Sequence, residues 1–138
     1  MKVNGNVIRE AIPESLNDIS GKILDSAFAV HIRLGPGLME STYEACLIHE
    51  LRKHGLKVES QVLLPIRYDG LVMDNGYRLD LLVEKQVIVE IKTVEKILPV
   101  HRAQLLTYLK LSQNKLGLLL NFNTPLMKEG ITRIINTK

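Results

Sequence analysis

The chain has 138 residues, which suits one domain with one core, and its 46% apolar and 24% charged residues are typical of a globular protein rather than a disordered one. The single cysteine, Cys46, excludes an intramolecular disulfide and a multi-cysteine zinc site, and it favours a reducing, cytoplasmic setting. The net charge of +3 permits a phosphate-bearing partner without requiring one, and no apolar run resembles a signal peptide or reaches the ~20 residues that span a bilayer.

Two helices are predicted at the start of the chain, behind a lead-in of mixed composition. We expect residues 1–18 to form this loosely attached lead-in and residues 19–138 to form a single domain. Ser20 is a candidate N-cap for the first helix, whose apolar positions recur at helical spacing as far as Leu34. A Gly-Pro-Gly sequence then breaks the pattern. The second helix is expected over residues 39–54.

A mixed sheet is predicted from the rest of the chain. Two turn-forming pairs lie within residues 69–76, and Pro99 opens a third predicted helix that runs to Ser112. The predicted strands are 61–68, 77–83, 87–93, 115–122 and 130–136. The order of helices and strands indicates an α/β (α+β) domain, with a mixed sheet of four or five strands flanked by helices.

Three charged residues stand inside two of the strand patterns. Because side chains alternate across a strand, Glu90 and Lys92 share one face of theirs. A two-residue loop before that strand would put Asp80 and Glu90 on opposite faces of the sheet. A three-residue loop would instead pair Val83 with Val87 and put both carboxylates on one face. We predict the three-residue loop, with the two Cβ atoms roughly 5 Å apart.

Two carboxylates at that separation need a proton or a cation between them, because they otherwise repel. Oxygen ligands without nitrogen or sulfur suit Mg²⁺ or Mn²⁺. Lys92 could stabilise developing negative charge or orient a water molecule. The alternative is that Asp80 and Lys92 form only a salt bridge at the rim of the sheet, and the short spacing by itself does not decide between the two interpretations.

The sequence resembles the PD-(D/E)XK nuclease superfamily. Asp80, followed on the next strand by Glu90, Ile91 and Lys92, is similar to the signature of that superfamily, with "RLD" standing where "PD" would be. Wider segments, such as "YRLDLLVE", "VIVEIKT" and "GLLLNF", are similar as well. The resemblance covers roughly residues 20–135, and its motifs are individually weak but strong together and in order.

Two further motifs sharpen the resemblance. The segment "GLMESTY", with Gly37, Glu40 and Tyr43, fits the G-x-x-E-x-x-Y motif that names a bacterial family of this superfamily. The segment "QLLTY", with Gln104 and Tyr108, fits the Q-x-x-x-Y motif that follows the catalytic strands in the exonuclease-like branch. The last two residues are four positions apart and therefore share a helix face.

The resemblance implies a restriction-endonuclease-like core and a set of roles. The implied site residues are Glu40, Asp80, Glu90, Lys92, Gln104 and Tyr108. The metal ligands would be the three carboxylates together with the backbone carbonyl of Ile91. Lys92 would be the catalytic lysine, and the glutamine and tyrosine would flank the site from the next helix.

The implied activity is a nuclease that hydrolyses phosphodiester bonds of nucleic acid with Mg²⁺ or Mn²⁺. The expected partner is nucleic acid, with DNA favoured, and no membrane; the resemblance also suggests action as a homodimer or beside other proteins. The alternative is a catalytically weak domain of the same fold that binds nucleic acid or a protein partner. The presence of every implied catalytic side chain favours the enzyme.

Overall fold

A computed structural model describes residues 13–74 and 76–137, and these form three helices around a mixed sheet. The helices are α1 (Glu14–Leu34), α2 (Glu40–Lys53) and α3 (Pro99–Ser112). The strands are β1 (Val58–Leu63), β2 (Ile66–Tyr68), β3 (Leu71–Met73), β4 (Arg78–Val83), β5 (Val87–Lys92), β6 (Leu116–Asn121) and β7 (Ile131–Ile135), with a 3-10 turn (Met127–Gly130) before β7. No helix in these described ranges is long and apolar enough to cross a membrane.

The main sheet has five strands in the order β1-β4-β5-β6-β7. Among the described strands only β5 and β6 run parallel, and α3 makes the crossover between them, as a parallel pair requires. Helices α1 and α2 pack in one apolar cluster with one face of the sheet, and α3 packs in a second cluster with the other. The predicted α+β class with a restriction-endonuclease-like core is confirmed.

Helix α1 begins earlier than expected. It starts at Glu14, directly after Pro13, so the prediction that Ser20 caps its N-terminus is wrong. Ser20 lies inside the helix and is buried, because the apolar stripe of α1 extends back through Ile19 and Leu16 into the core. Of the predicted lead-in, the part before residue 13 lies outside the described residues.

The predicted strand over residues 61–68 is two strands. β1 ends before Pro65 and β2 begins after it, because proline cannot donate to a strand ladder. β2 pairs with β3, a short strand that the sequence analysis did not predict, around a turn at Asp69 and Gly70. Both turn residues have positive φ, 49° and 85°, as a tight hairpin turn requires. This hairpin forms a separate two-stranded sheet.

The hairpin of β4 and β5 has the predicted register. Val83 pairs with Val87 and Leu81 pairs with Val89, so the loop between the strands takes three residues. The loop begins with a tight turn in which Gln86 N–H donates to the Val83 carbonyl at 2.9 Å. Continuing this register by one position past Leu81 brings Asp80 opposite Glu90.

Candidate active site

The open end of the β4–β5 hairpin holds two carboxylates in place of a backbone ladder. Asp80 N–H donates to Glu90 Oε2 at 3.0 Å, and Ile91 N–H donates to Asp80 Oδ2 at 2.8 Å. Each carboxylate therefore accepts a backbone N–H from the opposite strand, which satisfies donors that the ladder leaves unpaired beyond Leu81 and Val89. These reciprocal hydrogen bonds bring the two predicted acidic residues together.

Glu90 is 4% exposed, and this burial dominates its electrostatics. Burial and the nearby negative charge of Asp80 raise the pKa of Glu90 to about 8, against the opposing effects of the Asp80 N–H and of Lys92. The ionised form of Glu90 is therefore disfavoured unless a cation lies beside it. A divalent cation would replace the proton of the neutral form, because its charge favours the ionised carboxylate.

Helix α2 contributes Glu40 at its first residue, where a carboxylate is favoured by the helix dipole. Glu40 is exposed, yet its charge contributes to raising the pKa of Glu90, so α2 begins within electrostatic reach of the two carboxylates. No charge or hydrogen bond in the described residues fixes its carboxylate more closely. Its role as a third metal ligand stays a prediction.

A second carboxylate of α2, Glu44, was missed by the sequence analysis. It is half-buried, and burial, Asp80 and Glu40 each raise its pKa, against a hydrogen bond from Gln61. Gln61 Nε2 lies 3.2 Å from Glu44 Oε1 and 3.3 Å from Oε2. Gln61 falls opposite Asp80 in the β1–β4 register and has a left-handed φ of 53°. The signal in the sequence was the spacing of four residues from Glu40, which places both carboxylates on one helix face.

Lys92 ends β5 and is partly buried. Its charge opposes the rise in the pKa of Glu90, which places its ammonium within electrostatic reach of the carboxylates. Among the described residues the ion pairs join Lys53 to Glu50 and Lys85 to Glu59, so the simple salt bridge of Asp80 with Lys92 does not form. The ammonium therefore remains available to a ligand.

Helix α3 contributes Tyr108 to the site and leaves Gln104 exposed one turn earlier. Burial raises the pKa of Tyr108, and so do Glu90, Tyr77 and Asp80 in decreasing order. Tyr108, a member of the second apolar cluster, is thus within electrostatic reach of both carboxylates. Tyr77, the residue before β4, was not singled out by the sequence analysis and lies close enough to Tyr108 to raise its pKa.

The end of β5 is anchored by the neighbouring strand β6. Asn121 is 1% exposed; its Oδ1 accepts Val94 N–H at 3.1 Å and its Nδ2 donates to the Val94 carbonyl at 2.9 Å. Phe122 N–H donates to the Lys92 carbonyl at 3.0 Å. These bonds hold the backbone on both sides of Thr93, and so fix the position of the Lys92 backbone at the end of β5.

The donor types fit a hard divalent cation, although the ligands are few. Among the described residues no group of three or more His, Cys, Asp or Glu side chains stands close enough to hold a metal ion. Mg²⁺ is commonly held by one or two carboxylates, with waters and substrate phosphates completing its shell, and the Asp80–Glu90 pair meets that need. Glu40 and the Ile91 carbonyl remain predicted ligands beyond this pair.

A mixed sheet that presents an aspartate on one strand and a glutamate and lysine on the next is the arrangement of restriction-endonuclease-like domains. A family model described as the PD-(D/E)XK nuclease superfamily matches residues 17–134, and the chain belongs to that superfamily. No curated protein and no solved structure matches the chain. The narrower family named for the G-x-x-E-x-x-Y motif stays a prediction.

Proposed function

We propose that the chain is a nuclease that hydrolyses phosphodiester bonds of nucleic acid, DNA in the first instance, with Mg²⁺ or Mn²⁺ at the Asp80–Glu90 pair. The observation that supports this most directly is the pair of reciprocal hydrogen bonds that hold these carboxylates together beside Lys92. Burial of Glu90, which raises its pKa to about 8, lowers the stability of the fold whenever the carboxylate is ionised. Such perturbed groups cluster at functional sites, and binding a cation would be the function of this one.

The residues of the site divide the chemistry between them. A bound divalent cation would polarise the phosphate and lower the pKa of a water. Asp80 and Glu90 would hold that cation, with Glu40 and the Ile91 carbonyl as further ligands. Lys92 would neutralise negative charge that develops on the phosphate oxygens. Tyr108, with Gln104 one turn away, would orient the Lys92 ammonium or a phosphate oxygen.

The test is hydrolysis of labelled single- and double-stranded DNA and RNA in Mg²⁺ or Mn²⁺. We expect cleavage by the unaltered protein and a loss of about a thousandfold in Asp80→Asn, since a metal-bound transition state is stabilised by several kcal/mol. Asp69→Asn changes an exposed carboxylate at the tip of the β2–β3 hairpin in the same way and should retain full activity. Cleavage that survives in Asp80→Asn contradicts the proposed mechanism.

A second candidate is a catalytically weak domain that binds nucleic acid or a protein partner. The observation in its favour is that no compact group of three metal-ligating side chains forms among the described residues. Calorimetric titration with Mn²⁺ separates the two functions. A nuclease should bind Mn²⁺ and lose that binding in Glu90→Ala, whereas nucleic-acid binding without any Mn²⁺ binding would favour the second candidate.

A further inference from the structure

The loop between α1 and α2 is tied to a single buried hydroxyl. Tyr43 is 0% exposed, and its hydroxyl donates to the Gly35 carbonyl and accepts Leu38 N–H at 3.1 Å. Gly35 and Gly37 both have positive φ, 67° and 108°, so the loop takes a conformation that other residues adopt only with strain. Both ends of this turn therefore depend on one side chain, which lies one helical turn beyond Glu40.

The ring of Tyr43 connects the same loop to the end of β5. It stacks on Phe122 with a centroid separation of 4.6 Å and an interplanar angle of 8°. Phe122 is itself 0% exposed, and its N–H donates to the Lys92 carbonyl at 3.0 Å. A continuous set of contacts therefore runs from Leu38, just before α2, through two stacked rings to the backbone of Lys92.

Packing alone does not account for this tyrosine. A phenylalanine would fill the same space and keep the stack, but it would leave the Gly35 carbonyl and the Leu38 N–H without their partner. Among the described residues, the hydroxyl forms hydrogen bonds only with the backbone of the loop that precedes Glu40. The hydroxyl therefore holds that loop in position, whereas the ring alone fills the core.

We propose that Tyr43 is a positioning residue that holds the Glu40 end of α2 in register with the Lys92 end of β5. The proposal rests on the proposed nuclease function, because it assigns these two walls to one site. It also gives a physical reason for the spacing of Gly37, Glu40 and Tyr43: the glycine permits the turn, the glutamate starts the helix, and the tyrosine fastens the turn from within.

The test compares Tyr43→Phe with Tyr68→Phe, the same change at a tyrosine that is 69% exposed on the β2–β3 hairpin. We expect Tyr43→Phe to lower kcat about tenfold with KM unchanged. The loop before Glu40 would lose its hydrogen-bond partner, and a misplaced Glu40 would raise the barrier to the chemical step. Calorimetry should show weaker Mn²⁺ binding in Tyr43→Phe as in Glu40→Gln. Tyr68→Phe should match the unaltered protein in every measurement.

A purely structural tyrosine would lower only the melting temperature, so all assays are run well below it. Unchanged kcat and Mn²⁺ affinity in Tyr43→Phe, beside an inactive Asp80→Asn, overturns the positioning role and leaves the nuclease function standing. Phe122→Leu, which removes the stack and keeps the backbone N–H, should also lower kcat, and full activity in it overturns the link to Lys92. An unaltered protein that neither cleaves nor binds Mn²⁺ removes the proposed function, and the inference falls with it.

Discussion

The two ends of the β4–β5 hairpin share the same strands and differ in what holds the strands together. At the turn end, Leu81, Val83 and Val87 are all 0% exposed, and the backbone ladder is regular. At the open end, Asp80 and Glu90 accept backbone N–H groups from the opposite strand, and the ladder has stopped. The comparison shows that side-chain oxygens replace backbone carbonyls as hydrogen-bond acceptors at the end of the hairpin where the candidate site lies.

The two ends also contribute to the free energy of unfolding with opposite signs. Burying apolar side chains at the turn end stabilises the fold, by roughly 1.5–3 kcal/mol for a valine or leucine. Burying the Glu90 carboxylate destabilises it whenever that group must be ionised, as the raised pKa of about 8 records. The apolar end therefore supports a site that would not be stable by itself.

The largest effect is expected when the charge at the open end is removed. Lys92→Ala should lower kcat by about a hundred- to a thousandfold, because the ammonium stabilises charge that develops only in the transition state. Lys85→Ala removes a lysine at the turn end, where the Lys85 side chain is 80% exposed, and should change kcat by less than twofold. Single-turnover cleavage of labelled DNA measures both. Equal losses in the two variants would show that the hairpin ends do not differ in function.

The converse change removes packing at the turn end. Leu81→Ala should lower the free energy of unfolding by about 2–5 kcal/mol, because it leaves a cavity in the core between the sheet and the first two helices. Urea unfolding measures the change. The kcat of the molecules that remain folded should stay within a few-fold of normal. A large loss of kcat under conditions where Leu81→Ala is fully folded would show that packing at the turn end also controls catalysis.

The pH dependence of stability should sharpen the contrast. Because the pKa of Glu90 is raised to about 8, the folded protein binds more protons than the unfolded chain between about pH 4.5 and 8. The stability that Glu90 contributes is thus complete below its unfolded pKa and is lost as pH rises through 8. As pH rises from about 5.5 to 7, the free energy of unfolding of the metal-free wild-type protein should fall by about 2 kcal/mol relative to that of Glu90→Gln.

Urea titrations of both proteins in chelator provide the measurement. Glu59→Gln, an exposed carboxylate on β1 near the turn end, is the matched control and should follow the wild-type profile. Parallel profiles for wild type and Glu90→Gln would show that Glu90 is not the buried acid described above.

The smallest effect is expected at the second carboxylate of α2. Glu44→Gln should lower kcat a few-fold, about one order of magnitude at most, since this side chain influences Asp80 through space and is held by Gln61. Glu50→Gln alters a partly buried carboxylate farther along the same helix and should have no effect on kcat. A loss in Glu44→Gln as large as that of Lys92→Ala would instead place Glu44 among the residues that touch the reacting groups.

The parts of the fold that follow from local rules could be predicted. The hairpin register followed from two alternatives for a short loop, and the bounds of α3 followed from Pro99 and the helical spacing after it. The helix start at Glu14 could not be located so easily, because Ser20 is a favourable cap in isolation and only tertiary burial makes it an interior residue.

The site was predictable only in part, for a physical reason. The strand residues Asp80, Glu90 and Lys92 lie on adjacent strands, and the register of those strands determines which side chains are neighbours. The spacing from Glu40 places Glu44 on the same helix face, but its contact with Gln61, a β1 residue with a left-handed φ, depends on how α2 packs against β1, which no local pattern shows. Motifs therefore located residues on the strands and on α2 and α3, and they overlooked Glu44 and Tyr77, whose proximity to the site depends on tertiary packing.

At the base of the β2–β3 hairpin, Leu64 N–H donates to the Tyr77 carbonyl at 2.8 Å. Beyond that bond, Tyr68, Leu71 and Val72 are each more than half exposed, and the hairpin forms its own sheet. Insertions are best tolerated where the affected backbone is neither buried nor bonded to the rest of the fold. We therefore expect the hairpin to accept changes in length and sequence, as long as Leu64 and Tyr77 keep β1 and β4, and hence Asp80, in place.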